Sequence, residues 1–255
     1  MKRFIQKTWA IWFWLAVWTI AAHCMGQEIY LVSPARVLRT LAALVGQGAF
    51  WSAVLGSLGR ILLGFLCAVA VGVALAALTV RDRWVRQLFA PLLGVIKATP
   101  VASFTLLALV WLKTGLVPAF MAFLMVLPIV WSNVEQGIRQ TDARLLEMAR
   151  VYGFSAAKTL KLVVVPSVAP YFLSAFTTAM GMAWKAGVAA EVISQPINSL
   201  GRMLYQAKIY LETPELLAWT VVVVALSVAL EKGFVALLRR ILPAGLLGGK
   251  DGEAA

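Results

Sequence analysis

The stretch LLEMARVYGFSAAKTLKLVVVP, Leu145 to Pro166, decides how the rest of this chain is read. Most of the sequence avoids water, yet here a cationic, amphipathic segment separates two apolar runs. Wound as a helix, its first part puts Leu145, Leu146, Ala149 and Tyr152 on one face, with Arg144, Glu147 and Arg150 elsewhere. Gly153 is suited to end that helix, since glycine takes the left-handed conformation of a C′ residue without a Cβ penalty. Ser155 can cap a second short helix that runs through Lys158 and Lys161 and stops at Pro166, which lacks an N–H. Amphipathicity alone is equally met by an ordinary water-exposed loop that happens to be helical.

The 255 residues are 62% hydrophobic and 13% charged. A soluble domain carries roughly a quarter charged residues, and the apolar residues here come in long unbroken runs. Both point to an all-α polytopic membrane protein. The net charge of +12 is scattered between those runs. It reads as a set of topology determinants and not as a phosphate-binding face, so nucleic acid is not an expected partner. Cys24 and Cys67 lie in apolar runs with no C-x-x-C pair and a single histidine, His23. No cofactor, zinc site or disulfide frame is expected from them.

About six transmembrane helices are predicted. The first covers Thr8 to Met25, retained because no A-x-A cleavage site follows it. The mixed stretch Gln27 to Gly48 carries a short apolar helix placed at the outer surface, so residues 1–50 form an N-terminal unit. The main transmembrane domain spans 51–240. Its helices are expected at Trp51–Val80, Leu88–Leu112 (interrupted by Lys97, Thr99 and Pro100), Val117–Asn133, Pro166 or Ser167 to Val192, and Glu215–Leu238. The polar loop lies at 142–166, and the tail, 241–255, is expected to be disordered. Basic residues concentrate on the side of the termini and the quoted segment, as in Arg81, Arg83, Arg86, Arg144 and Arg150, which places that side in the cytoplasm. Two stripes of small residues, Gly64–Ala68–Gly72–Ala76 and Ala175–Ala179–Ala183–Gly187, should let helices approach closely.

The quoted segment also carries a pattern. Glu147, Ala149, Gly153 and the VVVP ending at Pro166 resemble the EAA loop of bacterial ATP-binding-cassette (ABC) importer permeases. Met148 stands for the first alanine of that loop and Val165 for a leucine. The likeness extends from about Ser57 to Arg240: SLGRILLGF, ATPVASFTLLALVWL and AWKAGVAAEVI resemble three core helices of the nitrate/sulfonate/taurine branch. The resemblance implies a type I importer permease fold, with cytoplasmic coupling helices that sit in a groove on each ATPase subunit. It gives Glu147 a polar contact at that surface, and it makes Ala149 and Gly153 small because a partner backbone comes close. The implied assembly has two ABC ATPase subunits, an extracytoplasmic solute-binding protein and a second permease copy or paralogue, in the bacterial inner membrane and its lipid. The chain itself is then no enzyme. Its only near match to a phosphate loop, GLLGGKD (Gly245–Asp251), is one residue short and puts Asp251 where Ser or Thr must bind magnesium, so ATP would be used by the partner subunit.

Lys185 lies deep in the fifth predicted span. A cation there costs roughly 2.5 kcal/mol or more on insertion scales, which makes it a functional candidate. Thr177, Thr178 and Gly181 precede it on the same helix face, and together they outline a translocation path for a small anionic solute. The family has an apolar residue at this position, so the resemblance does not explain Lys185. Pairing with a carboxylate or with helix carbonyls of another span is the alternative. Glu191, near the outer end of the same span, matches the glutamate of the family's A-E pair; a local contact with Arg202 or Lys208 is favoured over contact with solute. Lys97, Thr99 and Pro100 either belong to a gate or let Lys97 snorkel to the interface. An ion-coupled secondary transporter is the main alternative function. It would need a midplane carboxylate, whereas the 11 acidic residues fall at span ends or in loops.

Overall fold

The computed structural model describes residues 2–27 and 29–241. The predicted tail therefore lies almost wholly outside the described residues, as does the near phosphate loop. The described residues form helices and turns only. In chain order these are α1 (Lys2–Met25), α2 (Pro34–Val45), α3 (Gly48–Arg81), α4 (Arg83–Ala98), α5 (Val101–Trp111) and α6 (Val117–Arg139). Then come α7 (Ala143–Val151), α8 (Ala156–Thr159), a π-helical turn (Leu160–Val164), α9 (Val165–Ser194), α10 (Leu200–Ile209) and α11 (Thr213–Ile241).

Four helical stretches are long and apolar enough to cross a membrane: Gly48–Arg81, Val117–Arg139, Ala156–Ser194 and Thr213–Leu237. The apolar part of α1, Trp9–Met25, is shorter. The third predicted span is not one rod. α4 and α5 meet at a bend of 110°. Pro100 has no N–H to donate and forces Thr99 out of helical geometry, to φ −85° and ψ 135°. The interruption expected at Lys97–Pro100 is thus a sharp elbow, with Lys97 exposed beside it.

α3, α6 and α11 run in the same direction. Phe50 stacks on Trp219 and Phe65 meets Phe234, which aligns α3 with α11. Gly64 lies on the Ala119 backbone, Gly72 on Val130, and the Trp131 indole donates to the Thr79 hydroxyl at 3.0 Å, which aligns α3 with α6. α9 runs the other way: Tyr171 packs on Gly137 near the end of α6, while Glu191 reaches Ser57 near the start of α3. The bundle therefore has an α7 end and an α10 end.

Both stripes of small residues are packing seams. Gly64, Ala68, Gly72 and Ala76 are all buried, and a Cβ on Gly64 would collide with the Ala119 carbonyl. Ala175, Ala179, Ala183 and Gly187 are buried as well, with Ile61 of α3 resting on Gly187. Without a hydrophobic drive between helices in lipid, such close backbone approach is what holds them together.

The stretch after α7 departs from expectation. The second short helix does not stop at Pro166; helix is continuous from Ala156 to Ser194. In α geometry the Pro166 ring would run into the Leu162 carbonyl. The π turn widens the helix just before it, and the Val165 N–H reaches back to the Leu160 carbonyl. α10 was not anticipated within the polar stretch before Pro214; Ser199 caps it by accepting from the Arg202 N–H at 3.2 Å.

Candidate functional site

Two places carry the candidate residues: the α7–α8 turn and the open face of α9. At the first, the Asp142 side chain accepts from the Arg144 N–H at 2.8 Å and starts α7. Gly153 ends it with φ +66°, the left-handed value that the sequence pattern asked for. The Phe154 N–H donates to the Ala149 carbonyl at 2.8 Å, and the Gly153 N–H donates to that of Arg150 at 3.0 Å. These are the two bonds of a Schellman motif. Ser155 then accepts from the Lys158 N–H at 3.3 Å and opens α8, as expected.

The predicted apolar face of α7 divides. Leu146 and Ala149 turn inward, whereas Leu145 and Tyr152 are exposed. Ala149 is 1% exposed, packed by its own chain. Its small size serves packing within this chain. Glu147 is exposed and makes no hydrogen bond or ion pair among the described residues. Beyond the motif, Val151 is 84% and Tyr152 73% exposed, an apolar tip that projects from the turn. The amphipathic pattern does not single out Val151, since it does not mark which side of so short a helix is left uncovered.

At the α7 end a second cluster fixes the geometry. Glu135, 5% exposed, pairs with Arg86 of α4 at 3.0 Å and Arg139 of α6 at 2.9 Å. It ties the start of the bent pair to the last turn of α6. The sequence reading ended the fourth span at Asn133 and so left Glu135 outside it; α6 continues to Arg139.

α9 packs against α3, α5, α6, α10 and α11, yet one face is open. Ser174, Thr178, Met182, Lys185 and Ala189 are exposed at helical spacing, with Gly181 half-buried beside them. The expected grouping of Thr178, Gly181 and Lys185 holds. A Cβ on Gly181 would meet nothing within 4 Å, so the gap there is real. Thr177 is half-buried at the edge of this face, with its hydroxyl donating to the Leu173 and Ser174 carbonyls at 3.1 and 3.0 Å. Lys185 has no carboxylate within ion-pair distance among the described residues.

Glu191 does not share that face. It is wholly buried on the far side of α9. The Ser57 hydroxyl donates to it at 2.6 Å, the Gly201 N–H at 3.2 Å, and Arg60 pairs with it at 3.4 Å. The pairing partner is therefore Arg60 of α3, and not Arg202 or Lys208. Arg60 stands 131 positions from Glu191 in the sequence, and only the fold brings the two together.

Residues 61–245 match the family described as binding-protein-dependent transport system inner membrane component. The chain is 27% identical over 232 residues to the taurine transport system permease protein of Escherichia coli, covering 89% of this chain and 84% of that one. It is 27% identical over 197 residues to a bicarbonate transport system permease protein of Synechococcus elongatus, covering 76% and 69%. It is 26% identical over 234 residues to the putative aliphatic sulfonates transport permease protein of Bacillus subtilis, covering 89% and 83%. Among solved structures, an amino acid ABC transporter superposes with a TM-score of 0.60 over 80% of this chain and 97% of that one, at 18% identity, a likeness of fold. With its bundle of apolar helices and this family match over most of its length, the chain belongs to the inner-membrane permease components of binding-protein-dependent ABC importers.

Proposed function

We propose that this permease moves a small oxoanion-bearing solute of the taurine, sulfonate or bicarbonate kind, past Lys185 on the open face of α9. The observation that carries the reading is Lys185 itself, an exposed cation with no ion-pair partner among the described residues, within a membrane-crossing helix that packs elsewhere on α3, α5, α6, α10 and α11. A charge in that position is costly unless it faces a polar cavity or a ligand. Thr178 and Gly181 on the same face add a hydroxyl and a space. Three relatives carry names that include taurine, bicarbonate and aliphatic sulfonates, each with an anionic head.

The driving subunits are two ABC ATPases that grip the α7–α8 turn, with Val151 and Tyr152 as the apolar tip and Glu147 as a polar contact. Gly153 sets the angle of the turn, and Pro166 lies in the first turn of α9 behind it. The basic residues of the α3–α4 turn and of α7 support a cytoplasmic side for this end and for both termini. An extracytoplasmic binding protein delivers solute at the α10 end, and a second copy or a paralogue completes the pathway. The chain takes no cofactor of its own.

The reading is tested by uptake of labelled taurine, an alkyl sulfonate and bicarbonate into cells that express the whole system. Loss of uptake on ATP depletion, with persistence when ion gradients are collapsed, supports it. The reverse pattern would make the protein an ion-coupled carrier and refute it.

A further inference from the structure

α9 is held differently at its two ends. From Trp184 to Glu191 it is pinned on three sides. The Trp184 indole donates to the Val223 carbonyl of α11 at 3.0 Å, and Ile61 of α3 rests on Gly187. Glu191 then gathers α3 and the segment before α10 in one network. Ser57 donates to Glu191 and accepts from the Leu200 N–H at 2.9 Å, and Gly201 donates to the same carboxylate oxygen. Arg60 bridges Glu191 to the Ile197 and Asn198 carbonyls.

The backbone is shaped around that network. A Cβ on Gly201 would collide with Glu191, and one on Gly56 with the Asn198 carbonyl. Gln195 caps α9 and Asn198 turns its carbonyl to Arg60, both at positive φ, 46° and 53°. Strain of this kind persists only where the surroundings over-determine it. Among the described residues, no buried side-chain polar atom is left without a partner.

The other end of α9 is held more lightly: Tyr171 packs on Gly137 of α6 and donates to the Gln140 side chain, but no buried network like that of Glu191 forms there among the described residues. The π turn Leu160–Val164 precedes Pro166 and Pro170, so the ladder of hydrogen bonds is already widened and interrupted there. Leu160, Leu162 and Val165 are exposed. The α7–α8 turn lies immediately before it.

We propose that Glu191, through Ser57, Arg60 and the Gly201 N–H, is a positioning residue that keeps the Lys185 segment of α9 fixed to α3 and α10 while motion from the α7–α8 turn is absorbed at the π turn. Lys185 is about 9 Å along the axis from Glu191, at ~1.5 Å per residue. Its cation thus sits on the pinned portion and keeps its place while the coupling end swings. The proposal rests on the ATPase-docking reading of α7–α8.

Hydrogen–deuterium exchange of the permease–ATPase complex in nanodiscs, with and without ATP and vanadate, tests it. The expected result is a nucleotide-dependent change in peptides covering α7 and residues 158–168, with none in peptides covering 184–202. In Glu191→Gln the change should spread into 184–202, and taurine moved per ATP should fall more than ~5-fold. A merely structural role would lower thermal stability without that spread. A response at α7 that skips 158–168, or one in wild type that reaches 184–202, overturns the proposal while leaving ATPase docking intact. No response anywhere, α7 included, overturns the docking reading and the proposal together. Should the variant not assemble, the wild-type profile alone decides.

Discussion

Replacing Gly153 by valine should uncouple ATP hydrolysis from uptake while leaving the membrane bundle intact. Gly153 holds φ +66°, and a Cβ built there meets nothing within 4 Å. The cost is therefore conformational and involves no collision. Left-handed geometry costs an ordinary L-residue roughly 1–2 kcal/mol, with β-branched residues at the unfavourable end. Set against ~1.4 kcal/mol per tenfold, the turn joined by the Phe154–Ala149 and Gly153–Arg150 bonds should lose on the order of tenfold in population relative to opened forms. The rest of the fold does not lean on Gly153, so expression and melting temperature should change little. The assay is uptake of whichever of taurine, alkyl sulfonate or bicarbonate the wild type moves, with ATP hydrolysis measured on the same proteoliposomes, read as solute moved per ATP. Asparagine, which visits left-handed geometry readily, is the control of similar bulk: Gly153→Asn should retain most of the coupling. Equal coupling in the valine and asparagine variants, both near wild type, would show that the turn geometry is irrelevant and refute the reasoning.

Three further outcomes are expected. Lys185→Met should cut uptake at least ~10-fold with insertion and ATPase assembly unchanged, since it removes the charge and adds apolar surface to an exposed position; unchanged uptake kinetics would take Lys185 out of the path. Gly64→Val should push α3 from the Ala119 backbone of α6 and lower stability by about 1–3 kcal/mol, seen as a drop in melting temperature in detergent; a neutral result would mean that the seam is not tightly packed. Trp131→Phe should cost only about 1 kcal/mol, because the Thr79 hydroxyl keeps its bond to the Ala76 carbonyl when the indole donor is lost; a severe loss of folding would show that this contact matters more than its geometry implies.

Local patterns carried over from sequence to structure where a residue's role depends on its own backbone. Gly153 and Ser155 set the α7–α8 turn because their demands are met within a few positions. The small-residue stripes were legible for the same reason, since periodicity alone puts Gly64 and Gly72 on one face. Roles that depend on distant partners were not legible. Glu191 looked free to pair with the nearby Arg202 or Lys208, but the antiparallel course of α9 delivers it to Ser57 and Arg60 instead. Pro166 looked like a helix stop, because the rule for proline assumes a regular ladder; the preceding π turn removes the clash, and the helix goes through. Ala149 is packed by its own chain, which its place in a local pattern did not disclose.

The claim on which the account depends most is that the α7–α8 turn is the handle of a separate ATPase. A photo-crosslinking residue placed at Tyr152, which is 73% exposed, measures this directly in native membranes. The account predicts a single major adduct with a polypeptide that binds ATP and carries its own phosphate loop, formed from the cytoplasmic side. Adducts with lipid alone, or labelling of position 152 by a membrane-impermeant reagent added outside the cell, would contradict it.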